Sequence, residues 1–192
     1  NIIAVSKTFK NQDILPLIHH GHRHFGENKV QEAIEKWPIL KKDFPNINLH
    51  MIGKLQTNKV KFAVPLFDYI HSLDNIKLAE KISVEQKKNN KKLKIFIQIN
   101  INNEEQKSGI SPDALPNFYN VCKSKLDLDI VGLMCIPPND GKSDQYFATM
   151  ELLKKKVNLA ELSMGMSDDY LEATKNGATY IRIGSKIFGN RF

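Results

Sequence analysis

The sequence predicts a single α/β domain, a closed (β/α)8 TIM barrel. Three observations point there. Eight short, near-continuously apolar stretches alternate with helical stretches along 192 residues. Near-continuous apolarity is the pattern of parallel strands covered on both faces. No linker, low-complexity tract or second compositional regime interrupts the alternation, and eight repeats favour closure over an open sheet.

Taken in order, IIAVS (2–6) is a β-branched strand followed by a helix at about 12–20. HRHF (22–25) precedes a helix at about 27–42, in which Val30, Ala33, Ile34 and Trp37 fall at i, i+3, i+4 and i+7. NLHMIG (48–53) leads into a short helix at about 56–63. FDYIHSL (67–73) leads into a helix at about 75–89 with Leu78, Ala79 and Ile82 on its apolar side. KIFIQINI (94–101) is the clearest strand. Ser111-Pro112 then opens a helix, a capping serine with proline in the first turn, and Leu115, Phe118, Tyr119 and Cys122 form its buried stripe. LDIVGLMCI (128–136) and a helix at about 143–156 make the sixth unit. ELSMGM (161–166) is followed by a helix at about 168–176, capped by Ser167 and stopped by Gly177, and TYIRIG (179–184) is the eighth strand. The chain starts at its first strand and leaves little sequence for an eighth helix, so a barrel's N-terminal helix is expected to be absent from these residues.

Composition narrows the classes. Hydrophobic residues make up 41% and charged residues 26%, which excludes a disordered, collagen-like or coiled-coil chain. Cys122 and Cys135 have no partner motif, so two buried thiols in a reducing, cytoplasmic compartment are expected. No apolar run approaches a membrane span, and no signal peptide is evident at the start, so no membrane partner is expected. The net charge is +7. Its lysines concentrate at Lys87, Lys88, Lys91, Lys92 and Lys94 and at Lys154, Lys155 and Lys156, which read as solvated helix ends rather than a nucleic-acid surface. A monomer is expected.

Barrel enzymes place their chemistry in the loops after the strands. Lys7 follows the first strand. Partial desolvation and nearby cations would leave its amine neutral and able to form a Schiff base; the alternative is a solvated rim lysine. Gly26-Glu27-Asn28 follows the second strand and Gly53-Lys54-Leu55-Gln56 the third. Ser167 after the seventh strand, at the start of a helix, and Gly184-Ser185 after the eighth read as an anion site; the alternative is a plain cap and a bend. Arg182 alternates with Ile181 and Ile183, so it faces the barrel interior if the isoleucines face the helices. Its acceptor would be a carboxylate or an unprotonated ring nitrogen of a ligand. His22-Arg23-His24 has the H-x-H spacing of barrel metal sites, but no histidine follows His71, so no metal is expected.

AVSKTF (4–9), FGENKVQEA (25–33), HMIGKLQTNK (50–59), EQKSGIS (105–111), GLMCI (132–136), LSMGMSDD (162–169) and IRIGSKIFGNR (181–191) occur in this order over nearly the whole chain. Together they resemble the pyridoxal phosphate homeostasis proteins, a family similar to the barrel domain of alanine racemase without its second domain. The resemblance implies one domain over 1–192 that binds pyridoxal 5′-phosphate (PLP) as a Schiff base. It implies Lys7 as the PLP lysine, Arg182 as the partner of the pyridine nitrogen, and Ser167, Gly184 and Ser185 around the phosphate, with Asn28 in a loop near the cofactor. It also implies a regulator of vitamin B6 and amino-acid homeostasis, with PLP-dependent apoenzymes as partners, rather than a catalyst. A PLP-dependent racemase is the alternative. Two physical counts disfavour it: an arginine leaves the ring nitrogen unprotonated, and racemisation needs a second base that 192 residues do not leave room to supply. A phosphosugar enzyme would use Ser167 and Gly184 but would leave Lys7 with Arg182 unexplained.

Overall fold

The computed structural model describes residues 1–104 and 106–189. Eight parallel strands alternate with helices: β1 (Ile2–Val5), α1 (Asn11–His19), β2 (His24–Glu27), α2 (Val30–Asp43), β3 (Asn48–Met51), α3 (Val60–Leu66), β4 (Tyr69–Leu73), α4 (Ile76–Asn89), β5 (Lys94–Ile99), α5 (Leu115–Asn120), β6 (Asp129–Cys135), α6 (Ser143–Lys156), β7 (Glu161–Ser163), α7 (Tyr170–Lys175), β8 (Ile181–Ile183) and α8 (Ser185–Phe188). The strand order is β7-β6-β5-β4-β3-β2-β1-β8. A parallel bridge between Ser163 and Tyr180, with Tyr180 N donating to Leu162 O at 3.0 Å and Arg182 N to Gly165 O at 2.9 Å, brings the two edges together. The sheet is therefore an almost closed barrel, as expected.

Burial on both sheet faces explains the apolar strands. Between strands and helices lie Phe25, Trp37, Phe67 and Phe147, all fully buried. Each such side chain contributes about 2–3 kcal/mol of transfer free energy. Inside the barrel, Ile3, Tyr69, Phe96, Met134 and Tyr180 form a second cluster. The alternation expected for the eighth strand holds: Arg182 is buried within the barrel and bonds across it to Ser163 and Cys135. Both cysteines are buried thiols, and burial pushes each up to about 12. The basic clusters pair with acids, as in Lys91 with Asp68, Lys92 with Asp127 and Lys154 with Glu151.

Two local expectations are corrected. The second strand starts at His24 rather than at residue 22, because Arg23 turns back to donate to the Ile18 and His22 carbonyls. Ser167 is not a helix cap. The seventh helix starts at Tyr170, and Asp169 holds its entry by accepting from Met166 N at 2.6 Å. Ser111 does precede Pro112, but it opens a 3-10 turn that runs into α5.

Candidate functional site

At the carboxyl end of the strands lies a cavity of about 620 Å³. Its wall brings together all six residues singled out above: Lys7, Asn28, Ser167, Arg182, Gly184 and Ser185. Six loops contribute, those after β1, β2, β3, β6, β7 and β8, which is why residues spread over the whole sequence meet.

The loop after β1 is held from outside the barrel. Lys36 on α2 donates to the carbonyls of Ser6, at 2.9 Å, and Phe9, at 3.3 Å. The same ammonium pairs with Glu27 and Glu32, and Glu32 accepts from Thr8 N. Burial raises the Glu27 carboxyl, against the lowering effect of Lys36, Trp37 and Ser6. Thr8 adopts φ 71, a left-handed conformation costly for a β-branched residue, so the segment carrying half-buried Lys7 is held in shape by its neighbours. Asn28 is placed similarly by contact. A Cβ at Gly53 would lie 2.3 Å from the Asn28 carbonyl oxygen, so glycine there lets the third loop pass against the second.

Arg182 enters the cavity wall from β8. Its guanidinium donates to Ser163 Oγ and to the Cys135 carbonyl, each at 2.8 Å. Among the described residues it has no carboxylate partner within ion-pair distance. Of the two acceptors the sequence left open, the carboxylate is absent there, and donor capacity remains for a neutral acceptor in the cavity. Burial lowers its pKa from the ordinary arginine value.

Gly184 is not required by its own backbone or by packing. Its φ is −117°, and an added Cβ would lie at ordinary contact, 3.6 Å from Val5. What its missing side chain leaves open is cavity wall. Ser185, its neighbour in sequence, and Ser167, on the loop after β7, line the same cavity. Asp168, next to Ser167 in sequence, also lines the cavity.

Phe9, Ile136 and Met166 also line the wall, together with Val5, Ile52 and Gly189, and the sequence does not single them out as site residues. Ile136 is 41% and Met166 38% exposed, apolar side chains left uncovered at the ends of β6 and β7. Phe9 stacks on Phe188 of α8 with ring centroids 4.8 Å apart, joining the first and eighth loops. Both Ile136 and Met166 fall within stretches quoted above, GLMCI and LSMGMSDD, which was the available signal. Glu105, Asn190 and Arg191 of the quoted stretches, and Phe192 at the end of the domain range, lie outside the described residues.

The arrangement fits a planar, anionic aldehyde. It offers a primary amine, a buried cation with spare donors, an open glycine-lined corner for an anion and apolar flanks for a ring.

Comparison with known proteins agrees in kind. The family model for the alanine racemase N-terminal domain matches residues 1–191. The pyridoxal phosphate homeostasis protein of Haemophilus influenzae is 38% identical over 200 residues, 99% of this chain and 84% of that protein. The protein of the same name from Homo sapiens is 37% identical, over 99% of this chain and 76% of that one. Among solved structures, PipY of Synechococcus elongatus without PLP superposes with a TM-score of 0.91 at 37% identity, covering 98% of this chain and 92% of PipY. PipY with PLP bound gives 0.89 at 36% identity with the same coverage. Alanine racemase of Clostridium difficile, at 14% identity and a TM-score of 0.78 over 100% of this chain and 52% of the enzyme, shares the fold.

Proposed function

The chain belongs to the alanine racemase N-terminal-domain family, among the pyridoxal phosphate homeostasis proteins, and from that premise we propose that it binds PLP in the barrel-mouth cavity through a Schiff base to Lys7 and serves vitamin B6 and amino-acid homeostasis. The observation that carries the reading is the convergence of Lys7, Arg182, Ser167, Gly184 and Ser185 on one cavity. The PLP-bound PipY structure supports it.

Bound PLP supplies an aldehyde that condenses with a primary amine and a pyridine ring able to draw electrons. Each residue then has a task set by its chemistry. Lys7 offers the amine from a loop held in place by Lys36. Arg182 donates a hydrogen bond and accepts none, so the ring nitrogen it faces carries no proton. That weakens the ring as an electron sink. Ser167, Ser185 and the main chain at Gly184 would hold the phosphate, and Ile136 and Met166 would offer apolar wall to the ring. Asn28 closes the rim beside Lys7.

The same wall supports a non-catalytic reading. Among its described residues the titratable groups are Lys7, Asp168 and Arg182. Arg182 is a poor base, and Lys7, freed when a substrate amine takes its place, is one base where racemisation needs two. A reversible carrier of PLP, passing it to PLP-dependent apoenzymes, suits this set better than a racemase.

The test is borohydride reduction of the PLP-loaded protein followed by peptide mass spectrometry. The expected result is a reduced adduct on Lys7, lost in Lys7→Ala. Stoichiometric labelling of a different lysine would overturn the assignment.

A further inference from the structure

A chain of polar side chains runs through the barrel interior, and the proposed function makes no use of it. Arg182 Nη1 donates to Ser163 Oγ at 2.8 Å. Ser163 Oγ lies 2.8 Å from His71 Nδ1. His71 Nε2 lies 2.9 Å from His50 Nδ1, and His50 Nε2 lies 3.0 Å from His24 Nδ1. His50, His71, Ser163 and Arg182 are buried, whereas His24, at the amino end of β2, is half-buried.

The arginine sets a direction. Guanidinium has five donors and no acceptor, so Ser163 Oγ accepts from it. Among the described residues the other partner of that oxygen is His71, so the hydroxyl proton goes to His71 Nδ1. A neutral imidazole that accepts at Nδ1 donates at Nε2. His71 therefore donates to His50 and His50 donates to His24, each neutral and protonated at Nε2. An arginine terminus also means that the chain does not conduct protons into the cavity. It transmits polarity instead.

We infer that Ser163, His71, His50 and His24 form a polarised hydrogen-bond relay that orients Arg182 in the cavity wall, and that adding one proton at His24 reverses the relay and loosens Arg182. Protonated His24 carries N–H at both ring nitrogens, so its Nδ1 donates to His50. His50 and His71 then carry their single proton at Nδ1 in place of Nε2, and His71 donates to Ser163. Ser163 accepts twice, and its own proton has no partner among the described residues. One proton is added in total, and no other group changes charge.

Of the three rings His24 is the least buried, so it is the one that an added proton reaches first. Burial lowers the pKa of all three imidazoles, most for His50 and His71. His24 faces His22, Lys94 of β5 and the Asn1 amino group, which lower it further. His50 stacks on Tyr69 and also feels Lys41 of α2, His22, His24 and His71, while His71 stacks on Phe96 and feels Arg182. Tyr180 stands edge-on to His71 and His24. Among the described residues no carboxylate bonds to any of the three rings. The functional weight of the relay rests on the PLP reading; its geometry does not.

The experiment uses nitrogen-15 NMR of the histidine- and arginine-labelled, ligand-free protein. At about pH 8 the three rings should be neutral Nε2–H tautomers; Nδ1–H on His71 would overturn the relay. On acidification to about pH 5.5, Arg182 Nη hydrogens should exchange about tenfold faster than their intrinsic pH dependence predicts. His24→Gln and His50→Phe, which cut the chain at its end and its middle, should each remove that excess; equal excess in the parent and both variants would overturn it. PLP titration separates the two readings. The parent should lose about fivefold more affinity than His24→Gln over the same interval, and equal loss denies the relay any part in cofactor binding. Failure of PLP to bind at about pH 8, with the expected tautomers present, would sink the cofactor reading and leave the relay standing.

Discussion

Lys36 Nζ sits 2.9 Å from the main-chain oxygen of Ser6, the residue immediately before Lys7, and 2.7 Å from the fully buried Glu27 carboxylate. One ammonium on α2 thus ties a buried charge to the loop that presents the reactive amine.

Replacing Lys36 by Met should therefore act in two ways. It leaves Glu27 buried without its cation, which should destabilise the fold by about 3 kcal/mol. It also releases the Ser6 and Phe9 carbonyls. Urea denaturation should show the first effect, and slower borohydride-trapped adduct formation at Lys7 the second. Adding Glu27→Leu should restore most of the stability but not the loop. Full recovery of both would show that Lys36 has no part in placing Lys7.

The phosphate end can be tested by subtraction and by relief. Ser167→Ala should weaken PLP binding by about 1–2 kcal/mol, roughly five- to thirty-fold. Ser167→Asp should be worse, because it adds a second carboxylate beside Asp168. Asp168→Asn should strengthen binding, by about twofold to fivefold. Gly184→Val should fold, since an added Cβ at that position meets Val5 at ordinary contact distance, but bind poorly, because Gly184 lines the cavity and the side chain would fill part of it. Fluorescence titration with PLP reads all four; unchanged affinity throughout would move the anion site elsewhere.

Exchange at the α-carbon of amino acids should be negligible. Loss of the carbon-bound proton needs a ring that draws electrons strongly, and an arginine at the ring nitrogen weakens that draw. Deuterium incorporation into alanine or serine, followed by NMR, measures this. Turnover on the order of 1 s⁻¹ would favour the racemase reading.

Stability should fall in mild acid because of the interior histidines. Their folded pKa values are lowered by burial, most for His50 and His71. Below the unfolded value of about 6.5 the unfolded chain binds protons that the folded barrel does not, so stability is lost as pH drops from there toward the folded values. Each such group contributes up to about 1.4 kcal/mol per pH unit across that window. Urea midpoints at about pH 7.5 and pH 5.5 should differ less in His50→Phe than in the parent.

The barrel was legible because its signal is local. A buried parallel strand needs a short apolar run, and KIFIQINI and LDIVGLMCI show it without reference to anything else. Arg182 was legible through the period of two, since its neighbours Ile181 and Ile183 are apolar. The histidine chain was not. His22 and His24 were weighed as a pair because they are close in sequence, yet His24 bonds to His50 and His50 to His71, contacts 26 and 21 residues apart. Such contacts depend on register across strands, which spacing along one strand does not encode. Capping chemistry points to Ser167 as the start of the seventh helix, but Asp169 offers a competing carboxylate two residues later. Its position at the cavity survives because the loop after β7 still ends at the barrel mouth.

The join between β7 and β8 is the thinnest in the barrel: two three-residue strands and one bridge, with the loops bearing Ser167 and Gly184 directly above. A molecule gripped by Ser167 on one side and Ser185 on the other spans that join like a clasp. Its affinity then adds to the cohesion of the whole cylinder, by about 2.7 kcal/mol at a hundredfold excess over the dissociation constant. The melting temperature of the protein becomes a gauge of its own loading. An empty barrel, slackest at that seam, would be the form most readily opened and unfolded.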